Sequence, residues 1–216
     1  MSFLVDPTAV VNFNRTDDEL ELWWLFSAVA AGKTAKTQAR LLDKFLHGLP
    51  PLRPHKASSP FSRIGGALAD DILLERLKTS GLGQYNRLYR QFSESLLLDL
   101  RTCTVEDLEA IYGCGPKTAR MFLMMSRPDQ RYAALDTHVL KFLASKGFDV
   151  PKATPPAGAR YRQLEQEFVR LADESGMSVA DFDLSIWKSY ARGSGNRKAK
   201  QHRPDLHGCY ADAPQQ

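Results

Sequence analysis

The chain has 216 residues, 43% of them hydrophobic and 25% charged, with 29 Lys+Arg against 25 Asp+Glu and a formal net charge of +4. That length holds one large domain or two small ones with a proper core, and the composition is that of an ordinary soluble globular protein. It excludes a membrane span, since no apolar run approaches ~18 residues, and its three scattered cysteines (Cys103, Cys114 and Cys209) fit a reducing cytosol better than a disulfide framework.

The opening stretch has no basic region followed by an apolar core, which predicts no secretory signal. Leu20, Leu22, Trp23, Trp24, Phe26 and Ala30 predict a strongly apolar first helix, and the acids before it suit a helix N-terminus. A second helix is expected over Thr34–Leu46, then a Pro- and Ser-rich loop over 47–62. Further helices are predicted over Ala67–Lys78, stopped near Gly81 and Gly83, and from Tyr85 to about Leu97. Thr104 opens a T-x-x-D capping pattern with Asp107, and Val105, Leu108 and Ile111 recur at helical spacing. Gly113-Cys114-Gly115-Pro116 ends that helix and places Pro116 as the first residue of the next, which continues through Lys117 to Met125. A helix over Asp136–Gly147 follows, then two more over about 160–175 and 179–191. No strand run stands out, so the fold class is all-α.

The glycine turn has two readings, a phosphate grip and a plain helix connection. Its glycines allow close approach to a phosphate backbone, and the free N–H groups of the following helix start face an anion; it is equally the turn of an ordinary αα-hairpin. Lys117 directly follows it, and Asp136 stands nineteen residues on. A desolvated amine beside a carboxylate is a nucleophile with its activating partner. Singly, Lys117 also reads as a phosphate-binding or solvated lysine, and Asp136 as a helix N-cap. The net charge is concentrated: residues 192–203 carry five Lys+Arg and no acid, while residues 1–191 are nearly balanced. That arm suits a polyanion, and a solvated tail is the plainer reading.

Leu108–Leu143 resembles the helix-hairpin-helix–GPD signature of base-excision DNA glycosylases related to endonuclease III. The match lies in the hairpin Gly113-x-Gly115-x-Lys117-Thr118-Ala119 and the block Leu135-Asp136-Thr137-His138-Val139, at the family's separation. The stretch Leu25–Ala35 is also similar to the first helices of the family's barrel subdomain. The resemblance implies a two-lobed all-α fold. One lobe covers 21–135 with the hairpin at about 104–126, the second combines 1–20 with 136–191, and 192–216 forms a basic flexible tail. It implies a bifunctional N-glycosylase and AP lyase that flips an oxidised or otherwise modified base out of double-stranded DNA. Lys117 falls on the lysine that forms the Schiff base and Asp136 on the aspartate that assists it.

The resemblance also assigns DNA contacts to Gly113, Cys114, Gly115 and Thr118, and the basic arm adds Arg197, Lys198 and Lys200. His138 reads as structural. Trp23, Trp24, Phe61 and Tyr85 read as packing residues, and Trp187 as core before pocket wall. Two departures matter. The four C-terminal cysteines of an iron–sulfur cluster are missing, Cys209 standing alone in the tail, so no cluster or metal is expected beyond a monovalent cation at the hairpin. Val29 occupies the position where many relatives have a glutamine that fills the gap left by the flipped base. A monomer in the cytoplasm is expected, associated with the nucleoid, or in a host's cytoplasm if the source is viral. Two other readings remain open: a base-flipping enzyme that modifies bases, of the viral DNA-modification type, and a non-catalytic helix-hairpin-helix DNA-binding protein.

Overall fold

The computed structural model describes residues 2–50 and 59–195, with side chains to Tyr190. The described residues form ten α-helices and no strand. The all-α class expected from the apolar periodicity is therefore observed.

Local chemistry sets most of the helix starts. Helix α1 (Asp17–Ala30) opens with a capping box, in which the Thr16 amide donates to Glu19 at 2.8 Å and the Glu19 amide donates back to the Thr16 hydroxyl at 3.3 Å. It is apolar nearly all round and sits at the centre of its neighbours: α2 (Ala35–Gly48), α3 (Pro60–Ala69), α5 (Tyr85–Ser95) and α7 (Pro116–Ser126) all pack on it. Trp24 is fully buried, and its indole N–H is satisfied by Ser95 at 2.7 Å; Trp23 donates to the Phe122 carbonyl at 3.2 Å.

The single helix expected over Ala67–Lys78 is two. Helix α3 starts at Pro60, capped by Ser59, and α4 (Leu73–Ser80) starts only after Asp70-Asp71-Ile72. Asp71 adopts φ +56°, a left-handed conformation that breaks the helical path. The Ser-Pro pair at 59–60, an N-cap followed by proline at N1, was the start signal inside the expected loop.

Helix α6 (Val105–Ala110) has the expected Thr104–Asp107 box, with the two amide bonds at 2.8 and 3.2 Å. Helices α8 (Thr137–Ser145) and α9 (Ala159–Glu174) pack with α10 (Val179–Gly195), which also packs against α7. Helix α10 continues to Gly195, so residues 192–195 of the expected tail are helical. The N-terminal segment runs along α2 and α7: the Phe3 amide reaches Asp43 at 2.9 Å, and the Asn12 amide reaches the Met125 carbonyl at 3.2 Å. Arg15 is buried against the Trp23 ring and donates to Met125 O at 2.7 Å.

Candidate active site

The α6–α7 connection is a tight hairpin. Gly113 takes φ +75°, and a Cβ there would stand 2.6 Å from Arg87 Cγ, so both the backbone and the close approach of Arg87 demand glycine. The Arg87 guanidinium, from α5, reaches Gly113 O at 3.5 Å and Ala28 O at 3.1 Å, tying the hairpin to α1 and α5. Gly115 is the N-cap of α7, and its carbonyl accepts from the Thr118 and Ala119 amides at 3.0 and 3.2 Å. The Gly113 and Gly115 amides have no acceptor among the described residues. Both glycines are exposed, while the Cys114 and Thr118 side chains are buried. Burial pushes the Cys114 thiol up to about 12, so it remains protonated and inert. Any contact from Cys114 to DNA therefore runs through its backbone.

Lys117, one residue into α7, turns into a cleft of about 730 Å³. Asp136, at the N-cap of α8, and Asp183, in α10, line the same cleft, so three elements bring one amine and two carboxyls together. Trp23, Phe26, Met121 and Trp187 contribute apolar and aromatic wall. The Lys117 amine makes its close contact with the Met121 sulfur at 3.2 Å, a weak acceptor. Burial holds its pKa below the ordinary lysine range, opposed by the Asp136 and Asp183 carboxylates. Lys33 also lines the cleft, but its amine is bound to the Leu82 carbonyl.

Asp136 Oδ1 accepts from the His138 and Val139 amides at 2.8 and 2.9 Å. The segment that delivers it is gripped from behind. Glu165 Oε1 accepts from the Ala133 amide at 2.9 Å and from Arg120 Nε at 2.9 Å. The Tyr161 hydroxyl donates to Ala133 O at 2.7 Å and receives the Leu135 amide at 3.2 Å, and Thr154 donates to Leu135 O at 2.6 Å. Arg120 also pairs with Glu109 of α6, so one buried guanidinium joins α6, α7 and α9 to the loop before Asp136.

Asp183 is buried, and its Oδ1 has no partner among the described residues. Burial pushes its carboxyl up to about 8, the Asp136 carboxylate adds to the rise, and Lys117 opposes it. A carboxyl whose folded pKa lies above its unfolded value of 3.8 stabilises the fold when protonated, and that contribution is lost as pH rises towards 8. Asp183→Asn is therefore expected to flatten the fall in stability between about pH 4 and pH 8. Urea denaturation at pH 5 and pH 8 reads this directly; an equal fall in variant and wild type overturns it.

Of the residues singled out in the sequence, Lys117, Asp136, Thr118 and Gly115 all line the cleft, while Gly113 and Cys114 lie in the turn beside it. Arg197, Lys198 and Lys200 lie outside the described residues. His138 lines the cleft as well, with a buried Nδ1 unpartnered among the described residues. Trp187 is half-buried wall rather than core, and Val29 is fully buried in the core. Asp183 went unrecognised in the sequence, although a carboxylate among Val179, Ala180, Phe182 and Ile186 on the buried face of a helix is a visible signal.

An all-α fold with a glycine hairpin leading into a lysine-bearing cleft defines the structural class. No protein-family model matches the chain. Its fold is that of the 8-oxoguanine glycosylase/lyase of Methanocaldococcus jannaschii, solved in complex with 15-mer DNA containing 8-oxoguanine. The two are 20% identical and superpose with a TM-score of 0.60, over 86% of this chain and 88% of that one.

Proposed function

We propose that the chain is a DNA glycosylase with AP-lyase activity, acting on an oxidised or otherwise modified base flipped from double-stranded DNA. The observation that supports it best is the Lys117 amine, desolvated and without a strong acceptor, in one cleft with two carboxyls. The Gly113–Gly115 turn beside it presents free amides suited to a phosphate, which positions a duplex without reading its sequence. The cleft has the volume for a nucleoside, and Phe26 and Trp187 offer surfaces for an extruded base.

In this reading the neutral Lys117 amine attacks C1′ as the C1′–N bond breaks, and the base departs. The amine then loses its proton as the sugar ring opens to a Schiff base, and β-elimination nicks the strand. The Asp136 carboxylate, fixed by two amides at the helix start, stabilises positive charge developing on the sugar. The chemistry draws on side chains alone.

Borohydride trapping on a panel of duplexes, with the 8-oxoguanine duplex among them, tests the reading. A covalent protein–DNA adduct formed together with base release is expected. Binding with neither release nor adduct on any duplex overturns it in favour of a non-catalytic DNA-binding protein. Release without an adduct removes the lyase step and leaves a monofunctional glycosylase.

A further inference from the structure

Among the described residues two carboxyls line the cleft, and the chemistry above uses one of them. Asp136 commits Oδ1 to the His138 and Val139 amides. Asp183 projects from α10, the helix that packs against α7 and α8, and its buried Oδ1 accepts from nothing among the described residues. The charged and titratable groups around it are Lys117 from α7, Asp136 and His138 from the start of α8, and Tyr161 from α9. The Tyr161 phenol is occupied with Ala133 O and Leu135 N, and the Lys33 amine with Leu82 O. Asp183 is thus a free acceptor in the cleft that holds a cation whose proton must leave.

We propose that Asp183 is the proton acceptor for Lys117. The N–H bond of the ammonium breaks with its electron pair left on Nζ, and the proton bonds to Asp183 Oδ1. The products are a neutral amine and a neutral carboxylic acid, with no net change of charge in the cleft. The inference rests on the reading of Lys117 as the nucleophile.

Desolvation favours this transfer, because an ammonium–carboxylate pair needs solvation that two neutral groups do not. Burial moves the two groups towards each other, the amine downward and the carboxyl upward, which eases passage of a proton from one to the other. Asp136 is left to act on the sugar. The division gives each carboxyl one task set by its surroundings.

The test uses the full chain in two separate measurements. Without DNA, trace acetylation of Lys117 across a pH series, read by mass spectrometry, gives the titration of the amine. In Asp183→Asn it is expected to titrate at lower pH, since a carboxylate favouring the ammonium is gone. Single-turnover base release is then followed on a duplex the wild type accepts. The variant is expected to be slower by about 10²-fold despite its larger fraction of neutral amine, because the ammonium formed as Nζ bonds to C1′ has lost the acceptor for its proton, and formate is expected to restore much of the rate in Asp183→Ala.

An unshifted titration overturns the proposal. So does a shifted titration with release as fast as wild type, which makes Asp183 a charge-setting group only, or a slow Asp183→Ala that formate does not help. Failure of the wild type to release any base removes the functional reading instead, and the titration then decides by itself whether the two groups share a proton.

Discussion

Lys117→Gln is expected to eliminate the borohydride-trapped adduct and to slow base release by on the order of 10³-fold or more, the scale of losing a nucleophile. The cleft holds two lysines, and their surroundings separate them. Lys33 Nζ is bound to the Leu82 carbonyl, where it ties the α1–α2 turn to the α4–α5 connection. Lys117 Nζ contacts a thioether and shares its cleft with two carboxyls, with nothing to keep it from a substrate. Lys33→Gln should therefore retain the adduct. An adduct that persists in Lys117→Gln and vanishes in Lys33→Gln reverses the assignment.

Asp136 adds a second comparison. Its carboxylate caps α8 and faces the cleft, and asparagine caps a helix as well as aspartate does. Asp136→Asn should keep wild-type stability and slow base release by about 10²-fold. Asp136→Ala should slow it similarly and also cost about 1 kcal/mol of stability, from loss of the cap. Thermal melting beside single-turnover kinetics reads the two roles apart, and equal melting of the two variants removes the capping role.

What the sequence disclosed follows the range of the interactions involved. Thr104–Asp107, Gly113–Pro116 and the acid-led start of α1 are governed by bonds spanning three or four residues, so their chemistry is visible in short windows. The same locality made Lys117 and Asp136 legible as a pair of motifs. Apolar periodicity misled where it ran on across Asp70-Asp71, because one residue's backbone angle, rather than hydropathy, divides α3 from α4. Asp183 and Trp187 belong to the site only because α10 packs on α7 and α8. That placement is set by contacts between elements far apart in the sequence; the apolar neighbours of Asp183 mark it as buried, but not which cleft it faces. Cys114 shows the converse: its neighbours in the motif suggested contact with DNA, but the turn directs its side chain inward.

The cluster behind Asp136 carries the largest expected effect on stability. Arg120 is buried between Glu165 and Glu109, with a guanidinium nitrogen 2.9 Å from Glu165 Oε1. Arg120→Met fills similar volume but leaves two carboxylates facing one another in the interior, and removing one partner of a buried pair costs about 3–5 kcal/mol. Burial already raises the Glu165 carboxyl above its unfolded 4.5, against the pull of the Ala133 amide and Arg120. Without Arg120 it rises further. A raised carboxyl stabilises the fold when protonated and loses that contribution as pH climbs, so the variant should be closest to wild type near pH 4 and fall behind above it.

Glu165→Gln keeps an acceptor for the Ala133 amide and leaves Arg120 paired with Glu109, so it should cost clearly less. Because Glu165 and Tyr161 hold the backbone of Ala133–Leu135, both variants should also slow base release at temperatures where they remain folded, with substrate binding little changed. Urea unfolding from pH 4 to pH 8, with single-turnover release at 15 °C, makes the measurement. An Arg120→Met protein with the wild-type urea midpoint at pH 8 would show that this ion cluster is not what holds Asp136 in place.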